Sequence, residues 1–173
     1  MRFKIAFAAL AASAAFASPA AAQVVTSTDT AEARGTVLQP LTLSRFQDLD
    51  FGTVLGSAVL GTVTIDAGNG NRTVAGGVAE VGINNGQRAI FTGSGPAGDT
   101  VDLTLTQPAG GLLYRDATTS LAGVLVLDQS GATTRTIDAA GAFAVGVGGT
   151  FTIAANQPAG VYAADFDLTA EYQ

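Results

Sequence analysis

In the run DTVDLTLTQP, Val101, Leu103 and Leu105 alternate with Asp102, Thr104 and Thr106. A period of two puts the apolar set on one face of a β-strand and the polar set on the other. No stretch after residue 22 carries the i, i+3, i+4, i+7 pattern of an amphipathic helix without interruption by Gly or β-branched residues. Instead, short runs rich in Val, Thr, Ile, Leu and Phe end in Gly, Asn, Asp or Pro. Strands are expected near Thr36–Ser44, Leu49–Val54, Gly61–Ile65, Arg72–Ala75, Val78–Ile83 and Ala89–Gly93. Further strands are expected near Thr100–Thr106, Leu112–Tyr114, Val124–Leu127, Thr133–Ile137, Phe143–Val145, Thr150–Ala154 and Val161–Tyr172. IDAGNGNRT (Ile65–Thr73) and INNGQRA (Ile83–Ala89) supply Gly-Asn and Asn-Gly turn chemistry between them. Many short strands with frequent turns specify an all-β chain, and the length favours a β-sandwich over a barrel.

The first 22 residues follow a different logic. Arg2 and Lys4 form a positive start, Ile5 to Phe16 a short apolar run, and Ala20-Ala21-Ala22 a small-residue cleavage site before Gln23. This is the layout of a secretory signal peptide, too short to span a bilayer. Gly, Thr and Asp interrupt every later apolar run, so no membrane-spanning segment is expected after cleavage. Removing 22 residues from 173 leaves 151, the size of one domain. The expected organisation is a signal peptide (1–22), a polar N-terminal extension (23–35) and one β-sandwich domain (36–173).

Without the leader, six arginines face fourteen acids and the charge is −8. So acidic a chain, with no lysine left, argues against nucleic acid or an anionic membrane as partner. There is no His and no Cys. Ser-His and Cys-His nucleophiles and imidazole or thiolate metal sites are thereby excluded. Asp48 and Asp50, like Asp165 and Asp167, lie two apart, but alternating Asp on a strand reads as its wet face. DAGNGNRT puts Asp66, Gly68 and Gly70 where a calcium loop needs oxygen ligands, so it reads as a turn. Asn71-Arg72-Thr73 fits a glycosylation acceptor only as a short, weak motif. No catalytic residue, cofactor or metal is expected, and the chain reads as a non-enzyme.

The C-terminal run GVYAADFDLTAEYQ places Tyr162, Ala164, Phe166, Leu168, Ala170 and Tyr172 in one phase. With DLDFG (Asp48–Gly52), GTVTID followed by a Gly/Asn turn and Arg72, and VGGTFTIAANQPAGVYAADFDLTAEYQ, it resembles a bacterial family of exported, pilin-like β-sandwich proteins, domain of unknown function 4402. The resemblance covers about residues 36–173. That family is in turn similar to fimbrial subunits of the chaperone–usher pathway. Those subunits end in an alternating strand with a penultimate Tyr, here Tyr172, and a Gly fourteen places from the end, here Gly160. The disulfide that many of them carry between early strands has no counterpart here.

The resemblance implies an immunoglobulin-like sandwich lacking one strand, whose open edge and apolar groove are filled from outside. A periplasmic chaperone would fill the groove first, pairing with the C-terminal strand, and an outer-membrane usher is the further partner that the resemblance implies. The N-terminal extension of another copy would replace it. Gly160, Tyr162, Phe166, Leu168, Ala170 and Tyr172 then form the receiving strand, and Ala31, Ala33, Gly35 and Val37 plug the groove. The expected function is a structural subunit of a fimbria-like surface fibre, passing through the periplasm to the cell surface and assembling by donor-strand exchange. Two alternatives stay open. Thr36–Ser44 completes the domain's own sheet, or the chain is a monomeric secreted module binding a glycan or another surface in adhesion.

Overall fold

The computed structural model describes residues 26–82 and 86–173. The expected signal peptide, the start of the extension (23–25) and the Asn84-Asn85 turn lie outside the described residues. The chain divides into two compact units at Thr36/Val37. In the first, residues 26–36 are exposed throughout and form no strand. Their only ion pair is local, Arg34 Nε to Glu32 Oε1 at 2.9 Å.

The second unit, Val37–Gln173, is an all-β, sandwich-like fold with twelve strands among the described residues. They are β1 (Thr42–Gln47), β2 (Val54–Leu55), β3 (Gly61–Ile65), β4 (Arg72–Gly76), β5 (Ala79–Glu80) and β6 (Ala89–Ser94). There follow β7 (Thr100–Thr106), β8 (Leu112–Asp116), β9 (Thr119–Leu127), β10 (Thr134–Thr136), β11 (Ala142–Ile153) and β12 (Asp167–Tyr172). All pairings are antiparallel.

The large sheet is organised by β11. Ala142–Val147 pair with β6 and Gly149–Ile153 with β3, while Val147–Thr152 also pair with β9. A strand has two edges, so β6 and β3 follow one another along one edge and β9 takes the other. β1 extends the sheet beyond β6, β4 beyond β3 and β8 beyond β9. The small sheet has the order β10-β7-β12. Val63, Ile65, Val101, Ile137, Val145 and Val147 are the most deeply buried large side chains of the core.

Strand bounds at β3 and β7 fall where the alternation puts them. Elsewhere the structure corrects the expectation. Phe143–Val145 and Thr150–Ala154 are one strand, because the glycines between them continue it. Cβ atoms at Gly146 and Gly148 would collide with the Ala67 and Ile65 carbonyls that cross there, so only glycine lets the backbones approach. Strand pairing begins at Thr42 rather than Thr36, just past Pro40, which has no N–H to give. Leu49–Val54 shrinks to β2 plus a bridge from Asp50 to Gln87, because the Asp50 carboxylate accepts the Gly52 N–H at 2.7 Å and turns the chain. Val161–Tyr172 shortens to β12, with a lone bridge from Ala163 to Tyr114.

Candidate assembly site

Leu168, Ala170 and Tyr172 of β12 are half-buried and pack on the core, while Asp167, Thr169 and Glu171 are exposed. This is the two-faced strand its alternation requires. Ahead of it, Phe166 meets Phe91 edge-on, with ring centroids 6.0 Å apart. Tyr162 is half-buried too, and its hydroxyl donates to the Pro158 carbonyl at 2.6 Å. Ala164, expected inward, is exposed, because β12 begins only at Asp167. Gly160 lies against the aliphatic stem of Arg115, whose guanidinium donates to the neighbouring Ala159 carbonyl at 3.1 Å.

β12 is paired on one side only. It runs against β7 from Asp167↔Thr106 to Tyr172↔Val101, and the Gln173 N–H donates to the Thr100 carbonyl at 3.1 Å. In an antiparallel ladder alternate residues aim their backbone groups at alternate neighbours. Asp167, Thr169 and Glu171 therefore aim theirs at β7, and Leu168, Ala170 and Tyr172 aim theirs away from it. Among the described residues no backbone group answers them. The inner face records the same gap. Val101 and Leu103 on β7 are buried, but no apolar residue of β12 is.

Where β12 begins, a groove of about 700 Å³ opens between the Leu49–Gly56 and Gln157–Phe166 stretches. Leu121, Leu125, Phe151 and Ile153 lie at its base, and Phe51 stacks edge-on against Phe151 with centroids 4.7 Å apart. Arg115 braces one wall through Ala159 and is itself held by Asp116, at 2.8 Å. The Thr118 N–H, Arg115 and the Thr118 hydroxyl keep the Asp116 carboxyl well below the usual carboxylate range.

Of the residues proposed to plug a groove, Ala31, Ala33, Gly35 and Val37 are all exposed, Val37 at 96%. Nothing lies within 4 Å of where a Gly35 Cβ would sit. Sequence reasoning missed the groove's far wall and base. The DLDFG motif, which contains Asp50, Phe51 and Gly52, was the signal that could have located that wall.

The model of a family described as a domain of unknown function (DUF4402) matches residues 41–172. The chain belongs to that family. The match starts just before β1 and ends with β12, so the family's shared part is the whole strand-bearing unit. Neither the comparison with curated proteins nor that with solved structures gives a match.

Proposed function

We propose that this member of the DUF4402 family is an exported, non-enzymatic structural subunit that polymerises by strand complementation into a surface fibre. The observation that carries the reading is β12 itself. Its outer backbone groups are unanswered among the described residues, and its apolar face is left half-buried. An open, apolar-backed edge is a template for another strand and a hazard when bare. One added strand would satisfy the edge and finish the burial together. β1 does not remove the need, because it closes the large sheet at β6 and leaves the small sheet open. The exposed, strandless residues 26–36 are the free segment such a mechanism needs. A periplasmic chaperone and an outer-membrane usher are the partners this reading calls for.

The test is whether the segment acts in trans. A synthetic Gln23–Leu38 peptide added to purified protein should raise its unfolding temperature, as any ligand of the folded state does. Protein starting at Thr36 should fold but fail to extend fibres seen by electron microscopy. A second reading, a monomeric module with a small ligand in the groove, is favoured by the groove's volume, which is in the range of ligand pockets. It requires the peptide to have no effect and the shortened protein to match the whole chain.

A further inference from the structure

Building on the strand-complementation reading, we infer that the N-terminal segment of one copy lies antiparallel on the β12 edge of another, with Arg34 opposite Asp167, Gly35 opposite Phe166 and Val37 in the groove. Three features fix this arrangement: where the chain is anchored, where the space lies and where the charges fall.

The anchor excludes a chain completing itself. The Tyr172 hydroxyl donates to the Gln39 carbonyl at 2.9 Å, so Gln39 is held at the C-terminal end of β12. A segment running back from Gln39 along the same molecule's β12 would be parallel to it. Val37 would then crowd Tyr172, and Ala31 would be the residue offered to the groove. The sizes are reversed. A segment from another copy can run the other way, bringing its small residues Ala31 and Ala33 beside Ala170 and Leu168. Val37, the large apolar residue that follows them in the chain, then reaches the groove where β12 begins.

Charge selects the register. A one-residue slip would turn Ala31, Ala33 and Val37 outward, so only even shifts need weighing. The segment has one base, Arg34, and the exposed face of β12 carries Asp167 and Glu171. With Arg34 opposite Asp167, Thr30 faces Glu171, and Val37 lies three residues past the start of β12, where the groove lined by Ala164 opens. Moving the segment by two toward the β12 C-terminus puts Glu32 against Glu171, and like charges directly opposite are unfavourable. Moving it by four restores a charge pair, Arg34 with Glu171, but leaves Val37 at Leu168 and out of the groove. Moving it by two the other way puts Glu32 against Asp167, again like charges directly opposite, so only the first register meets both conditions. It also makes Arg34 and Asp167 a non-hydrogen-bonded pair, where opposed side chains come closest.

The absence of cysteine makes this testable without background. Full chains carrying Arg34→Cys and full chains carrying Asp167→Cys are mixed and oxidised, beside a control mixture of Arg34→Cys with Glu171→Cys. The expected result is covalent dimer at least about tenfold above the control, since a disulfide needs Cα atoms within about 7 Å. A single chain carrying both Arg34→Cys and Asp167→Cys should give a ladder of oligomers rather than a closed monomer. As a second measure, Arg34→Asp and Asp167→Arg should each weaken assembly, and mixing the two variants should restore it. Preferential coupling to Glu171→Cys, or a closed monomer, overturns this arrangement and leaves strand complementation standing. No coupling in any mixture, with no effect of the Gln23–Leu38 peptide, overturns both.

Discussion

The Tyr172 hydroxyl and the Gln39 carbonyl, 133 positions apart in the chain, are joined by a hydrogen bond of 2.9 Å. The bond ties the stretch before β1 to the end of β12, the two parts of the chain that flank the open side. A typical bond of this kind contributes about 0.5–1.5 kcal/mol, and this one is exposed, so the low end applies. Tyr172→Phe should therefore cost about 0.5 kcal/mol in denaturant unfolding. It should also raise amide exchange at Leu41 and Leu43 more than at β11.

The face assignment of β12 gives a sharper contrast. Phe166→Asp places a carboxylate against Phe91 and the groove, whose lining among the described residues includes no basic side chain. Burying an unpaired polar group costs about 1–3 kcal/mol on protein scales, on top of the lost ring contact. Asp167→Ala, on the exposed face, should stay within about 0.5 kcal/mol of the parent. Urea midpoints of the two variants measured together decide it. Equal midpoints would mean that the faces are assigned wrongly.

The link between β9 and β10 depends on a buried ion pair. Arg135 is buried and pairs with the Asp128 carboxylate, whose second oxygen accepts the Gly146 N–H at 3.0 Å. Removing one partner leaves the other charge desolvated, which costs about 3–5 kcal/mol for a fully buried pair. Asp128 keeps some solvent contact, so Arg135→Ala should fall near the lower end. Thermal unfolding should show the loss, and Arg135→Met should recover part of it by refilling the volume.

Much of this was legible in advance, and the misses share a cause. The β7 alternation and the inward set Tyr162, Phe166, Leu168, Ala170 and Tyr172 follow from a period of two, which is a local property, and Ala164 alone of the expected set is exposed. The continuity of β11 was not legible, because glycines in a row normally end a strand. Here they permit a contact with residues 65–67 that lies far away in sequence. The groove failed for the same reason. Phe51, Leu113 and Phe166 look like ordinary core positions until tertiary structure shows that the space between their segments is left open.

Acid should leave the β8–β9 turn alone. The folded Asp116 carboxyl is held below its ordinary range, so its contribution is full above the ordinary carboxylate pKa, declines progressively below it and is lost once pH has fallen through the lower folded value. Between neutral pH and pH about 4, where an ordinary Asp is about half protonated, the turn should keep its amide protection. In Asp116→Asn the carboxylate is gone at every pH, and Thr118 and Thr119 exchange should be faster throughout. A parent turn that opens near pH 4 would contradict the assignment.

The glycine prediction addresses the fold most directly. Gly148 would place a Cβ onto the Ile65 carbonyl and close to the backbone of Ala67, and those atoms belong to β3 and its turn. Backbone cannot rotate aside as a side chain can, so Gly148→Ala must part β11 from the Ile65–Ala67 segment. Overpacking of this kind costs about 1–3 kcal/mol, with the high end expected where the obstacle is main chain. Gly35→Ala is the matched control, since nothing lies within 4 Å of its new Cβ. Denaturant unfolding should show a large loss for Gly148→Ala and none for Gly35→Ala. Equal stabilities would mean that the backbones do not approach at Gly148, and β11 would then be two strands with a break between them.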